Sequence, residues 1–463
     1  MANEVLSNSQ MAEADRRTIE SGVDGFVLMR RAARAVADII LSEFERQNVL
    51  VLCGPGNNGG DGFVIASLLK ERGWDVWLAS MKGVAELEGD VSKAAQLWEG
   101  DVLSFDNLQP QKDELVIDAV FGTGFSGALG APVAGVFERI NRQGNSVVAV
   151  DISSGVNGDS GAVDPHALRA GFTVTFHRKK LGHVLYPGAG HCGAVRVADI
   201  GITQNLEYSA LENHPDLWRS HLPEKRADQH KYDYGMACIY GAPDLTGATR
   251  LAAEGCARIG AGLVNVLCEE KIAGIYRSTL PAHILVRDDP TWTDKRITAK
   301  LYGPGGLLKK PDYKSDTPTV LDADALMKLP KSLKTLKPHF VLTPHEGEFA
   351  KAFPKLEGTK VENAVAAAKQ YNAHIVLKGA DTVVASPDGR VVVNTNAPGS
   401  LATAGTGDVL AGMITGLLTQ SMAPFEAACA AVWIHGGAAR RFGPGLVASD
   451  LPGQLPGVVL DLN

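Results

Sequence analysis

The sequence lacks most of the features that mark secreted, membrane-embedded and nucleic-acid-binding proteins. It has only six cysteines in 463 residues, and their scattered spacing is typical of reduced thiols in a core rather than of disulfides or zinc ligands. Its beginning has neither the basic nor the apolar segment of a signal peptide, and no apolar run is long enough to span a bilayer. With 45 basic and 52 acidic residues, its formal charge of -7 argues against binding to nucleic acid. We therefore expect a cytoplasmic protein whose partners are small molecules and include neither nucleic acid nor membrane. We also expect a homo-oligomer, although nothing in the composition indicates the oligomeric state.

The length and the order of apolar runs predict two α/β domains. A chain of 463 residues is too long for one ordinary core, and 45% hydrophobic residues are enough to fill two. In the first half, helical periodicity at 11–20 and 26–46 is followed by a regular alternation of strand and helix patterns, which is typical of a doubly wound sheet. The predicted strands there are 49–52, 76–79, 115–118, 146–150 and 173–176.

A glycine-rich turn at 404–408, A-G-T-G-D, leads directly into an apolar helical pattern in the second half. Its glycines allow backbone N–H groups to converge, and the dipole of the following helix points at the same spot, so the turn predicts an anion site. Asp408 lies at the opening of this anion site, where its negative charge would repel phosphate. A carboxylate at this place is explained if it accepts the proton of a hydroxyl that attacks phosphorus. The alternative is a glycine C-cap followed by an Asp N-cap.

Three further loops follow predicted strands in the first half. The loop C-G-P-G-N-N-G-G-D-G at 53–62 has the strand–loop–helix order that places nucleotide phosphates, and it adds side-chain oxygens from Asn57, Asn58 and Asp61. The loops at 118–128 and 151–156 each begin with an Asp directly after an apolar strand, so two carboxylates are expected at one edge of the sheet. The alternative is that each Asp only caps its loop.

These loops, with H-R-K-K-L-G-H at 177–183 and the run that continues to 202, resemble the epimerase domain that acts on hydrated NADH and NADPH. The resemblance covers nearly all of residues 1–202 and implies a Rossmann-like domain in which Asp151 is the acid/base group at the epimerised carbon. It also implies a potassium ion bound by Asn58, Asp118 and Ser154, whose hard oxygen donors suit such an ion. Ser153 stands where the family usually has Pro. The resemblance implies that the hydrated nucleotide is held by Asn57, Asn58, Gly59, Gly60, Asp61, Gly122, Thr123, Gly124, Phe125, Ser126, Gly127 and Ala128.

The second half has its own series of strand-end loops. Lys378 ends an apolar strand, where its ammonium could meet nucleotide phosphates or stand as a solvated hairpin lysine. His345 has Glu346 and Glu348 beside it but lacks the H-E-x-x-H spacing of a zinc site, so we expect it to bond substrate. The apolar helix at 427–440, which contains His435, is expected to be plain core packing.

The motifs T-G-A, G-P-G, L-D-A-D-A-L, T-P-H-E-G-E-F, L-K-G-A-D-T and A-G-T-G-D-V-L-A-G-M, in this order, resemble the ADP- or ATP-dependent dehydratase of NAD(P)H hydrate, which has a ribokinase-like fold. The sequence departs from that family at Gly306 and Tyr232, where Leu and Gly are expected. The resemblance implies that the hydrated nicotinamide is contacted by Ala248, Gly305, His345 and Asp408. It implies that the adenine nucleotide is held by Lys378, Gly379, Ala380, Asp381, Thr382 and Gly407.

Together these motifs predict a bifunctional repair enzyme with two three-layer α/β domains, an epimerase at 1–205 and a dehydratase at 223–463, joined by a linker at 206–222. The expected cofactors are K+ and Mg2+, with ADP or ATP as co-substrate; Mg2+ is expected because phosphoryl transfer uses it. Two alternatives stay open from the residues alone: a vitamin-precursor kinase fused to a nucleotide-binding domain, and a non-catalytic protein that binds nicotinamide nucleotides.

Overall fold

The chain consists of two compact units, Met1–Ala210 and Leu211–Asn463. The structure, a computed structural model, describes residues 3–203, 207–330 and 332–462. The predicted domain end at 205 and the first residue of the predicted linker lie outside the described residues. From 207 to 222, the segment predicted as linker contains one strand and two short 3-10 helices, and Trp218 within it is fully buried in the core of the second unit.

The first unit has nine strands, six α-helices and three one-turn 3-10 helices among its described residues. The strands are β1 (Glu4–Leu6), β2 (Val49–Cys53), β3 (Val76–Ser80), β4 (Val102–Ser104), β5 (Leu115–Ala119), β6 (Val147–Val150), β7 (Phe172–Phe176), β8 (Lys179–Lys180) and β9 (Ala194–Ala198). The helices are α1 (Asn8–Glu20), α2 (Gly25–Glu43), α3 (Asn57–Glu71), α4 (Gly89–Ala95), α5 (Ala131–Gln143) and α6 (Gly188–Cys192), with 3-10 turns at Val84–Glu86, Phe105–Asn107 and Leu181–His183.

Seven of these strands form a parallel sheet in the order β4-β3-β2-β5-β6-β7-β9. On β2, Val49, Val51 and Cys53 pack with α2 and α3, whereas Leu50 and Leu52 pack with α5 on the opposite face, because successive side chains of a strand point to opposite sides. The three-layer α/β architecture predicted for this half is therefore confirmed. The strand order reverses between β2 and β5, and open parallel sheets bind ligands at such a switch point.

The second unit begins within β10 and is built from more strands and longer helices. Its strands are β10 (Ala210–Glu212), β11 (Met236–Tyr240), β12 (Leu263–Leu267), β13 (Ile284–Arg287), β14 (Ile297–Tyr302), β15 (Thr319–Leu321), β16 (Phe340–Leu342), β17 (His374–Leu377), β18 (Val383–Ala385) and β19 (Val391–Val393). Its helices are α7 (Thr246–Arg258), α8 (Glu270–Thr279), α9 (Asp324–Met327), α10 (Glu346–Ala352), α11 (Lys360–Tyr371), α12 (Thr406–Thr419), α13 (Pro424–Phe442) and α14 (Leu451–Leu460), with 3-10 turns at Pro215–Leu217, Arg219–His221, Gly399–Leu401 and Ala448–Asp450.

The sheet of the second unit runs in the order β13-β12-β11-β14-β15-β16-β17-β18-β19, and β10 lies beside β19. The strands from β13 to β17 are parallel, whereas β18 is antiparallel to both of its neighbours. Helix α12 is buried along nearly its whole length, and it packs so closely on α7 that a Cβ on Gly412 would lie 2.0 Å from the carbonyl oxygen of Ala252. The order reverses between β11 and β14, which is the second switch point.

The secondary structure predicted from apolar patterns is confirmed at most positions. The five predicted strands of the first half correspond to β2, β3, β5, β6 and β7 to within one residue at each end. All six cysteines are buried and free, as expected. Among the described residues, no helix combines the length and apolar character needed to cross a membrane.

Candidate functional site

The turn after β2 is packed so tightly that two of its glycines have no room for a side chain. A Cβ on Gly54 would lie 1.8 Å from the carbonyl oxygen of Val120, and one on Gly59 would lie 1.8 Å from the carbonyl oxygen of Gly54. The sequence pattern predicts a loop over 53–62, but helix α3 already begins at Asn57, with Gly56 as its N-cap. Residues 57–61 therefore form the first turns of the helix. The positive end of α3 therefore points at the switch point.

Two of the three predicted potassium ligands are joined at the end of β5. Ser154 donates to both carboxylate oxygens of Asp118, from its hydroxyl at 2.6 Å and from its backbone N–H at 2.7 Å. Burial raises the pKa of Asp118 to about 6, although these hydrogen bonds oppose the rise. The third predicted ligand, Asn58, adjoins Gly122, since a Cβ on Gly122 would lie 3.5 Å from the side-chain oxygen of Asn58.

The predicted substrate loop at 122–128 has neither helix nor strand structure and lies between these groups and Asp151. A Cβ on Gly122 would lie 3.2 Å from Oδ2 of Asp151, so a side chain there would crowd the carboxylate. The carbonyl oxygen of Thr123 accepts a hydrogen bond of 2.7 Å from Asn8. Beyond it the loop is open to solvent, with Gly124, Ser126, Gly127 and Ala128 exposed and Phe125 half-buried.

Asp151 follows β6 directly and has an uncommon backbone conformation, with φ of 66°. A non-glycine residue in the left-handed region costs about 1–2 kcal/mol, so its surroundings must hold it there. Its side chain accepts hydrogen bonds from Lys180 at 2.7 Å and Thr175 at 2.9 Å, and its backbone oxygen lies 2.8 Å from the ring of His183. Burial alone would raise the pKa of Asp151, but the ammonium of Lys180 lowers it on balance.

The sequence interpretation did not identify Lys180, Thr175, His183 or Asp15 as parts of this site. Lys180 is 1% exposed, and burial raises the pKa of Asp15 to about 6. Burial raises the pKa of Asp61 well above its ordinary value, and the negative charge of Asp151 adds to that rise. The run R-K-K at 178–180 was the only sequence signal for Lys180, and a run of basic residues is typical of a solvent-exposed surface. The structure shows that Lys180, in β8, is buried.

In the second unit, the predicted anion site stands at the start of α12. Gly405 is the N-cap with φ of 92°, and the hydroxyl of Thr406 donates to the carbonyl oxygens of Leu401 and Thr403 at 3.0 and 3.1 Å. Left-handed backbone favours glycine, which explains the residue at the cap. Asp408 lies in the first turn of the helix, where the N–H groups are free of helical partners.

Asp408 belongs to a cluster of charged groups around Lys378. The ammonium of Lys378 lies 2.8 Å from Oδ1 of Asp322 and 3.8 Å from Oε2 of Glu348, and a Cβ on Gly407 would lie 3.4 Å from it. Burial would lower the pKa of Lys378, but the carboxylate of Asp322 raises it on balance. Burial, reinforced by the negative charge of Asp322, raises the pKa of Asp408 to about 7.

The loops after β11 and β14 meet at the second switch point and bring two predicted substrate residues together. Gly305 has φ of 78°, and a Cβ on it would lie 3.0 Å from the Cβ of Ala248. The hydroxyl of Thr249 accepts from the N–H of Ala242 at 2.9 Å and donates to the carbonyl oxygen of Pro304 at 3.1 Å. Thr249 therefore fixes the spacing of both loops. Gly306, the departure from the family pattern, has φ of 144°, which suits glycine.

His345 and the predicted nucleotide turn lie on neighbouring strand ends. The Nδ1 atom of His345 accepts the N–H groups of Gly347 and Glu348 at 3.0 and 3.2 Å as the N-cap of α10, and its side chain is 60% exposed. The backbone N–H of Lys378 donates to Pro344 at 2.8 Å, which joins the two loops. The other members of the turn are Gly379, Ala380, Asp381, whose carboxylate pairs with Lys360, and Thr382, whose hydroxyl donates to Gly379.

The helix that contains His435 packs in the core, as predicted, and His435 adds one polar contact to that packing. Its Nε2 atom lies 3.0 Å from the carbonyl oxygen of Thr406, at the first residue of α12. Burial lowers the pKa of His435 to about 4, so the ring is neutral and donates its N–H to that oxygen. The helix α13 therefore anchors the glycine-rich turn through one side chain.

Known families match both halves of the chain. Residues 25–182 match the model described as YjeF-related protein N-terminus, and residues 236–454 match the model described as NAD(P)H-hydrate dehydratase. Two curated relatives, bifunctional NAD(P)H-hydrate repair enzymes of Moorella thermoacetica and Coxiella burnetii, are 36% and 33% identical to it. The alignments cover 99% and 96% of this chain and 97% of each relative.

Two solved structures are similar to about half of the chain. An ADP/ATP-dependent NAD(P)H-hydrate dehydratase of Bacillus subtilis, co-crystallised with ATP and Mg2+, is 32% identical, with 54% of this chain and 98% of that chain covered and a TM-score of 0.48. A ribokinase-like superfamily protein of Enterococcus faecalis is 23% identical, with 56% and 99% covered and a TM-score of 0.50. The latter likeness concerns the fold alone and agrees with the predicted ribokinase-like architecture. Because a relative 36% identical is matched over 99% of this chain, the chain belongs to the family of bifunctional NAD(P)H-hydrate repair enzymes.

Proposed function

We propose that this protein repairs hydrated NADH and NADPH in two steps. The first unit interconverts the R and S hydrates at C6, and the second unit dehydrates the S hydrate back to NAD(P)H at the expense of ADP or ATP. The products of the second step are phosphate and AMP, or phosphate and ADP. We further propose that the enzyme works in the cytoplasm as a homo-oligomer, with small molecules as its only substrates.

In the first unit, Asp151 is the acid/base group at C6 of the hydrate. Its Oδ2 atom accepts the N–H of Thr123 at 3.3 Å and adjoins Gly122, so that oxygen faces the loop assigned to the substrate. The lowered pKa keeps the carboxylate ionised near neutral pH, which is the state that a base requires. The helix N-terminus at Asn57 offers its N–H groups to the phosphates of the dinucleotide.

In the second unit, Asp408 removes the proton from the C6 hydroxyl as this oxygen attacks the terminal phosphate of the nucleotide. The carboxylate stands in the first turn of α12, whose N–H groups stabilise the growing negative charge, and Lys378 adjoins Gly407 at the same place. The phosphate ester then leaves with the help of the ring nitrogen, and loss of a proton from C5 restores the double bond. A pKa of about 7 suits Asp408 to proton removal at neutral pH.

The residues present fit both expected ions. Asn58, Asp118 and Ser154 would hold K+, since a cation beside the buried Asp118 would stabilise its ionised form. Mg2+ would be bound through the nucleotide phosphates, whose charge it would neutralise, in the same site as the carboxylates of Asp322 and Glu348 that face Lys378. Within the described part of the chain, no three His, Cys, Asp or Glu side chains are grouped to bind a metal alone.

The first experiment is to incubate the purified chain with a mixture of R and S NADH hydrates, Mg2+, K+ and either ADP or ATP, and to follow absorbance at 340 nm. Full recovery of NADH with stoichiometric phosphate is expected. A halt near half recovery would show dehydration without epimerisation. A stable phosphorylated product without NADH would favour the kinase alternative, and no reaction with either nucleotide would contradict the proposed function.

A further inference from the structure

We infer that Lys180 is a positioning residue of the epimerase site, which holds one oxygen of Asp151 so that the other faces the substrate loop. This inference rests on the proposed function and adds a residue to it. Lys180 does not itself reach the substrate, because only 1% of its side chain is exposed. It acts through the carboxylate that does.

The ammonium of Lys180 has three hydrogen-bond donors, and three acceptors receive them. It donates to Oδ1 of Asp151 at 2.7 Å, to the hydroxyl of Thr175 at 2.7 Å and to the carbonyl oxygen of Phe176 at 3.3 Å. The hydroxyl of Thr175 donates in turn to the same Oδ1 at 2.9 Å. Since a lysine ammonium carries three N–H groups and no acceptor, this geometry matches the charged form of the side chain.

The same strand-end segment also fixes the backbone of Asp151. The N–H of Lys180 donates to Nδ1 of His183 at 2.9 Å, so the ring proton is on Nε2 and points at the carbonyl oxygen of Asp151, 2.8 Å away. The N–H of Asp151 donates to Val174 at 2.8 Å. With φ of 66°, Asp151 needs such anchors on both its backbone and its side chain. Oδ2 alone remains turned to the loop, beside Gly122 and the N–H of Thr123.

The charges around Asp151 explain why a buried cation is needed there. The carboxyl groups of Asp15 on α1 and Asp61 on α3 are close enough to Asp151 for its negative charge to raise their pKa values. The thiol of Cys192 also feels this charge, and its pKa of about 11 keeps it neutral. Burial lowers the pKa of His183 to about 4, so His183 is neutral near neutral pH and adds positive charge beside Asp151 only at acidic pH. Lys180 is thus the cation that offsets the burial of Asp151 and its acidic neighbours. Without it, burial would raise the pKa of Asp151, and a larger fraction of the base would be protonated at acidic pH.

The test compares Lys180→Met and Lys180→Arg with the unaltered enzyme and with Lys112→Met, which removes an exposed lysine of the same unit. Conversion of R to S hydrate is followed by chromatographic separation of the epimers, without ADP or ATP so that dehydration does not occur, and the uncatalysed rate is subtracted. For Lys180→Met, the acidic limb of the kcat profile is expected to move upward by about 1–3 pH units. On the acidic side of the limb, kcat is expected to fall by about tenfold for each unit of this shift, while KM changes little. Lys180→Arg should keep the acidic limb near its original position, and Lys112→Met should match the unaltered enzyme.

A profile lowered equally at all pH values in Lys180→Met, with its acidic limb unmoved, would overturn the inference, as would a rise in KM alone. Circular dichroism checks that each variant is folded. If Lys180→Met does not fold, Thr175→Val is measured instead, because it removes one hydrogen-bond donor to Oδ1 of Asp151. An upward shift of the acidic limb in this variant would support the inference, and an unmoved limb would overturn it. Absence of epimerisation by the unaltered enzyme is a separate outcome that contradicts the proposed function itself.

Discussion

Dehydration of the S hydrate should depend on pH with a midpoint near 7. Asp408 must be ionised to accept the proton of the C6 hydroxyl, and burial together with the charge of Asp322 raises its pKa to about 7. The sign follows directly: a base with a raised pKa is protonated and inactive below that value and active above it. An aspartate at its ordinary pKa would stay active throughout the neutral range.

The size of the effect follows from the titration of one carboxyl group. With a pKa of about 7, roughly 9% of the molecules carry an ionised Asp408 at pH 6 and roughly 91% at pH 8. The rate at limiting substrate should therefore rise about tenfold between pH 6 and pH 8. An unperturbed aspartate would be more than about 99% ionised at both values and would give a flat profile.

The assay measures initial rates of NADH formation at 340 nm from the S hydrate alone, with saturating Mg2+ and ADP or ATP. Asp408→Asn should lose about 10²–10⁴-fold of the rate at every pH while epimerisation is retained. Asp461→Asn, which alters an exposed carboxylate of the same unit, should keep the original profile. A flat profile from pH 5.5 to 8, or normal dehydration by Asp408→Asn, would refute the assignment of Asp408 as the base.

Three further changes test other parts of the structure. Asp151→Asn should lower epimerisation by about a hundredfold or more, so that repair of an R/S mixture stops near half recovery while dehydration of S hydrate is normal. His435→Leu removes the donor to Thr406 and should slow dehydration roughly tenfold, with epimerisation as the internal control. Gly412→Ala should lower the free energy of unfolding by about 1–3 kcal/mol in denaturant titrations, because its Cβ would meet the backbone of α7. Gly274→Ala on α8 has open space and should instead raise it by up to about 1 kcal/mol; equal effects of the two would contradict the packing.

Much of the fold was predictable because it follows from local patterns. The run at 236–240 is apolar and lies between Gly235 and Gly241, whereas the run at 263–267 follows Gly262 and is apolar except for Asn265. Strands β11 and β12 occupy these residues. The start of α3 was less predictable, since N-N-G-G-D-G resembles a loop by composition. It is helical because Gly59 packs against Gly54, a contact between residues that are close only after β2 has turned.

The candidate sites were predictable where they follow strand ends. Asp118 lies at the end of β5, Asp151 directly follows β6, and Asp408 follows a glycine turn, so their placement at a switch point or a helix start follows from sequence order. Lys180 and His435 do not carry such a signal. From the sequence, Lys180 resembles a surface lysine and His435 resembles a core residue. Each belongs to a site through a hydrogen bond to a residue 29 positions away, Asp151 for Lys180 and Thr406 for His435.

The sequence by itself determined the two α/β units, the glycine turns and the carboxylates at strand ends, because these depend on periodicity and on neighbours within a few residues. Only the tertiary structure decided the electrostatic state of those carboxylates. Asp151 and Asp408 have similar places at the start of a loop and a helix, yet the pKa of the first is lowered and that of the second is raised to about 7. The physical reason is the balance of burial and charge: Lys180 donates directly to Asp151, whereas the ammonium of Lys378 is bonded to Asp322 and the charge of Asp322 acts on Asp408.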